Sequence, residues 1–272
     1  MLNGVPSSFI DLDDPRNVGF EYMDIFCAVL DQIRTGPLDV VHLGAAGCAM
    51  ARSIDATRPG SRQIGIDIDA RLLDLARTWF DLPRSPRLRL RSGDARTQLA
   101  TLATASADVV IRDVFAGDTT PAHLLTMEFV ADVLRVLRPG GIYLINCADR
   151  PPLDGARAEV ATLRAALEAF SAREADDTHA PAGAAQTPGE IAIISEPALL
   201  KSRRYGNLVL ALVAPSPEAD EQRHGADGKL GSAGVARALR TLAVPAQILH
   251  TEAETSKFAG QARVLRDPVT TQ

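Results

Sequence analysis

The stretch Val40-Val41-His42-Leu43-Gly44-Ala45-Ala46-Gly47-Cys48 constrains the fold of this chain more than any other. A short apolar run stops at two glycines and leads into a segment able to form a helix. That is the strand, tight turn and helix start of a nucleotide-binding α/β unit. Glycine lets the backbone turn sharply and approach a ligand closely, which puts Gly44 and Gly47 against whatever binds there. The next apolar run, Gln63-Ile64-Gly65-Ile66-Asp67, ends in a carboxylate. Asp67 follows Gly47 by 20 positions, the separation at which an acidic residue reaches a ribose diol across the first βαβ unit.

The pattern repeats down the chain. Strands are expected at 39–43, 62–67, about 87–91, 107–113 and 142–147. Helices are expected at about 48–57, at 70–80 capped by Asp69, after Gly93-Asp94-Ala95, and at 123–137. The segment 70–80 should bury Leu72, Leu73, Leu75, Ala76 and Trp79. Alternation at this spacing predicts a Rossmann-like, doubly wound, mostly parallel α/β sheet with ligands outside the carboxyl ends of its strands. Gly47, Asp67, Asp94 and Asp113 all fall at those ends, and that convergence marks a site. Each carboxylate also has a plain structural reading: Asp94 as a helix cap, Asp113 as a loop cap, Asp118 as a solvated loop residue.

Before this core, 20–34 carries Phe20, Met23, Phe26, Cys27, Leu30 and Ile33 at helical spacing, and Gly36-Pro37 stops it. Residues 1–18 read as an extended β arm broken by Asp13-Asp14-Pro15. After it, 155–172 reads as a helix, and 191–195 with 207–213 as an antiparallel hairpin closing the sheet. Segments 174–190 and 215–232 read as polar, mobile connections. The expected organisation is an arm at 1–18, the α/β domain at 19–214, and a largely irregular extension at 215–272 with one helix near 233–243.

The formal net charge of −5 gives no support to nucleic-acid binding. Cys27, Cys48 and Cys147 stand in no metal spacing, and the histidines form no pair, so no metal is expected. Neither a secretory leader nor a long apolar run is visible, so the expectation is a cytoplasmic protein that is not membrane-bound.

Taken together, the glycine turn, Gly65-Ile66-Asp67-Ile68-Asp69, Gly93-Asp94-Ala95, Asp113 with its Pro-containing loop, and Leu137-Arg138-Pro139-Gly140-Gly141 resemble the class I S-adenosylmethionine-dependent methyltransferase fold. Within it the chain resembles the spermidine synthase (polyamine aminopropyltransferase) family. Three segments carry the likeness to that branch: Ser8 to Pro15 with Phe20-Glu21-Tyr22, the loop Asp113 to Pro121, and Arg204 to Leu210. The resemblance implies a co-substrate, S-adenosylmethionine or its decarboxylated form, held by Gly44, Gly47, Asp67, Asp94 and Ala95. It implies Asp113 as the catalytic carboxylate facing an attacking amine, and Tyr22, Asp24 and Asp118 beside a small amine such as putrescine. It also implies a homodimer. The turn departs from the family pattern of three glycines, an aspartate and a glycine: Gly47 stands where the aspartate belongs. Methyl transfer to another small molecule, or a binding role without turnover, are the alternatives.

Overall fold

A computed structural model describes residues 8–176, 186–217 and 229–269. The elements run α1 (Glu21–Ile33), β1 (Asp39–Leu43), α2 (Ala49–Thr57), β2 (Arg62–Asp67), α3 (Ala70–Trp79), β3 (Leu88–Ser92), α4 (Ala95–Ala100) and β4 (Ala107–Arg112). A single 3-10 turn at Ala122–Leu124 precedes α5 (Met127–Val136), β5 (Leu137–Asp149) and α6 (Asp154–Asp176). Then come β6 (Gln186–Thr187), β7 (Glu190–Ser195), α7 (Pro197–Leu200), β8 (Gly206–Val213), β9 (Ser216–Pro217), α8 (Ala233–Arg240), β10 (Gln247–Leu249) and α9 (Glu252–Ala259).

The eight-stranded sheet has the order β10-β7-β8-β5-β4-β1-β2-β3, and β6 pairs separately with β9. Neighbours from β3 through β5 are parallel, whereas β5–β8, β8–β7 and β7–β10 are antiparallel. This is the doubly wound α/β sheet that the alternation predicts, with the expected hairpin at one side. The order reverses at β1, which lies between β2 and β4, so its carboxyl end opens a crevice for a ligand. One core layer joins α4, α5 and α6 to the sheet through Leu99, Phe129, Val133 and Val160. The opposite layer joins α1, α2 and α8 through Phe26, Val29, Ile54 and Val235.

Several expectations need correction. The described residues of the arm, 8–18, contain no strand: Asp11 accepts the backbone N–H groups of Asp13 and Asp14, which folds the segment into turns. Helix α3 buries only Leu73 and Ala76, and Trp79 is 59% exposed. The extension is not irregular. Helix α8 forms where expected and packs on α1, β10 adds to β7 at the sheet edge, and α9 packs on α6. Ser232 caps α8, and Thr251 with Glu254 forms a capping box on α9. Most of the two expected mobile connections falls outside the described residues, though α6 runs on to Asp176. No helix among the described residues is long and apolar enough to cross a membrane.

Candidate active site at the carboxyl edge of the sheet

Strand β4 is buried along its whole length and delivers Asp113 to the carboxyl edge. The Asp113 backbone N–H donates to the Leu43 carbonyl at 2.9 Å, so this carboxylate is fixed beside the end of β1. Both of its oxygens are engaged. The Tyr22 hydroxyl, from the first turn of α1, donates to Oδ2 at 2.8 Å. The Asn146 amide, from β5, donates to Oδ1 at 2.8 Å. Burial raises the Asp113 carboxyl above its ordinary range, while Asn146, Tyr22 and Arg112 pull it back. Burial and then the Asp113 charge push the Tyr22 phenol far above its usual range, so Tyr22 keeps its proton and acts as a donor. That one proton is committed to Asp113. The buried Asn146 Oδ1 accordingly has no partner among the described residues.

The glycine turn closes on the backbone of the same residue. Gly44 has φ +85°, and a Cβ built there would lie 2.2 Å from the Asp113 carbonyl oxygen. Only glycine allows that approach. The N–H groups of Gly44 and Ala45 both donate to the Ile66 carbonyl at 2.9 Å, tying the turn to β2. At the end of β2, Asp67 accepts the Ala46 N–H on Oδ2 at 2.8 Å and the Asp69 N–H on Oδ1 at 3.0 Å. A carboxylate has about four acceptor positions, so Asp67 retains capacity for two hydroxyl donors. Ala46 and Cys48 sit at φ 41° and 64°, left-handed positions that cost non-glycine residues about 1–2 kcal/mol each. Gly47 donates its N–H to Ser8 Oγ at 3.1 Å, so the arm lies over the turn.

Asp94 caps α4 by accepting the Thr97 N–H at 2.9 Å. Its second oxygen meets His123 Nε2 at 2.7 Å. Ala95 follows it, buried at the start of α4. The structure thus shows Asp94 as the helix cap, and His123 joins this corner from the far end of the Asp113 loop. Arg112, fully buried beside Asp113, anchors that end. Its guanidinium donates to the Leu124 carbonyl at 2.9 Å and to Glu159 at 2.7 Å.

Two sequence-selected residues are not drawn to Asp113. Asp118 lies on the exposed loop and faces Arg150 at 3.4 Å. Asp24 is two positions beyond Tyr22, about 200° around the helix, so it faces away when Tyr22 faces Asp113. Burial and the neighbouring Glu21 raise the Asp24 carboxyl above its ordinary range. Sequence reasoning missed Asn146. Its signal is a lone amide in the otherwise apolar run Ile142 to Cys147, at the end of β5 that faces the site.

Residues 41–145 match the family model described as Methyltransferase domain. The polyamine aminopropyltransferase of Chromobacterium violaceum is 27% identical over 140 residues, 51% of this chain and 53% of that protein. The match thus spans about half the length of that curated relative. A solved structure of a probable spermidine synthase from Corynebacterium glutamicum is 36% identical, with a TM-score of 0.78, over 99% of this chain and 88% of that one. Human methyltransferase-like protein 13, solved in complex with SAH, shares the fold at 20% identity and a TM-score of 0.55, over 82% of this chain and 94% of that one.

Proposed function

The chain belongs to the spermidine synthase-like family of the class I methyltransferase fold, and from that premise we propose that it transfers an alkyl group to a small amine. The co-substrate of the proposal is S-adenosylmethionine or its decarboxylated form. When bound, it supplies a carbon activated by a positive sulfur, with a neutral thioether as leaving group. The chain's own residues fit that partner. Asp67, tied to the turn by the Ala46 N–H, offers acceptor positions to a ribose diol, and in this proposal Asp94 with Ala95 borders the base.

Asp113 carries the proposal, because Tyr22 and Asn146 hold both of its carboxylate oxygens while its own backbone carbonyl abuts the glycine turn. An amine is protonated near neutral pH and must lose a proton before it attacks. Asp113 is the acceptor for that proton, and its raised affinity for a proton suits a base more than an ordinary surface carboxylate would. Tyr22 and Asn146 fix its orientation, so little reorganisation accompanies the transfer. As the nitrogen–carbon bond forms, the carbon–sulfur bond breaks.

One observation favours a second reading, methyl transfer to another small molecule or binding without turnover. A diamine needs paired carboxylates when it leaves water, yet Asp24 faces away and Asp118 is engaged by Arg150. Affinities for both sulfonium nucleosides, followed by turnover with putrescine, monoamines and small methyl acceptors, separate these readings. Tight nucleoside binding with no transfer to any acceptor would remove the enzymatic proposal.

A further inference from the structure

At the opposite end of the sheet lies a second groove, unrelated to Asp113. Its origin is the shortness of α4. Six residues of helix span only about 9 Å, and Ala95 and Leu99 cover the core near Ile66. The amino-terminal halves of β2 and β3 are left uncovered on that face. The result is a groove of about 380 Å³ between these strands and the chain after α4. Val41, Ile64 and Leu102 supply an apolar lining, and Arg89, Arg91 and Arg138 supply charge.

The arginines are not equivalent. Arg138 is already neutralised, at 2.8 Å from Asp39 and 3.0 Å from Asp108. Arg62, also at the groove, meets Asp39 at 2.9 Å. Arg89 and Arg91 have no carboxylate partner among the described residues. Arg89 donates to the Ser85 hydroxyl at 3.0 Å, and Arg91 reaches the Thr101 hydroxyl at 3.5 Å. They are two positions apart on one strand, so both project to the same face with Cα atoms about 7 Å apart. At that separation two long guanidinium side chains can converge on one tetrahedral anion and present planar forks to its oxygens.

We infer that this groove binds a small phosphate monoester with an apolar body, the phosphate on Arg89 and Arg91 and the body against Val41, Ile64 and Leu102. The volume is that of a small-molecule site rather than of a bare ion. The inference does not rest on the proposed reaction. Its rival is that arginines on the outermost strand merely discourage edge-to-edge pairing, a common use of charge there.

Titration calorimetry of the full chain with phenyl phosphate and with inorganic phosphate decides between them. Phenyl phosphate should bind at one site, at least about tenfold more tightly than inorganic phosphate, because only it uses the apolar lining. The double variant Arg89→Gln/Arg91→Gln should lose at least about tenfold in that affinity while keeping the wild-type melting temperature, since both side chains reach the surface. Asp67→Ala should leave phenyl phosphate binding unchanged. Absence of binding, equal affinity for the two phosphates, or an unaltered double variant would each overturn the inference. So would loss of binding in Asp67→Ala, which would put the ligand at the nucleoside edge instead.

Discussion

The Tyr22 hydroxyl donates to Asp113 Oδ2 at 2.8 Å, across 91 positions of sequence. Through this bond α1 orients a carboxylate whose own backbone carbonyl abuts the glycine turn. Asp113→Asn keeps the size and one acceptor oxygen but removes the proposed base. Turnover should fall at least about a hundredfold, while nucleoside affinity stays within about threefold. Steady-state kinetics and calorimetry on the same preparation check this. Loss of nucleoside binding would instead make Asp113 a ligand of the nucleoside. Tyr22→Phe, which removes only the donor, should cost about tenfold in turnover.

Turnover should also fall toward acid, with a limb set by Asp113. Burial raises its proton affinity above that of an ordinary aspartate, so the proposed base is lost at a higher pH than an ordinary aspartate would be. The sign for stability is opposite. A carboxyl whose folded pKa is raised opposes folding when charged, so its penalty is relieved as pH falls through that folded pKa. In Asp113→Asn both effects should vanish, which pH–rate profiles and denaturant midpoints can read separately.

Asp67→Ala should weaken adenosyl binding at least tenfold, a loss of about 1.5–3 kcal/mol for charge-assisted hydrogen bonds to hydroxyls. Equal calorimetric affinity in mutant and wild type would refute the ribose assignment.

His42 governs acid stability. The buried Gln63 amide donates to the Ala51 carbonyl at 2.9 Å, which turns its Oε1 toward His42 Nε2 at 2.8 Å. The ring is thus held neutral with Nε2 as donor, and burial lowers its pKa from 6.5 to about 4. Stability tied to a depressed histidine is complete above the unfolded pKa and is lost as pH falls toward the folded one. Between about pH 6.5 and 4 the loss should approach about 3 kcal/mol. Urea unfolding across this window measures it. His42→Leu should flatten the dependence while costing about 1–3 kcal/mol at neutral pH, because Gln63 loses its donor.

The sequence made the strands legible where apolar runs meet Gly or Pro. β1 and β2 fall on 39–43 and 62–67, and Asp69 caps α3 through the Leu72 N–H as its position suggests. It was less legible wherever a partner came from afar. Trp79 keeps the helical phase of a buried residue, but α3 buries only Leu73 and Ala76, the latter in a small cluster with Cys48, Ala51, Leu82 and Leu88. Strand β10 has three residues and no alternation to read; its pairing with Ile193, Ile194 and Ser195 creates it. Asn146 gains meaning only from Asp113, 33 positions away, and Asp24 loses its assigned place once Tyr22 fixes the rotation of α1.

The packing of α8 on α1 has a consequence for the order in which a ribosome releases this chain. Helix α1 emerges well before α8, yet the apolar face it shares with Val235 and Leu239 is completed only when α8 arrives. Until then nothing from the carboxyl-terminal end steadies the helix that carries Tyr22. A chain halted after β8 would contain Asp113, Asn146 and the whole glycine turn and still lack Val235 and Leu239 against the helix that carries Tyr22, so the outer support of that helix is completed last.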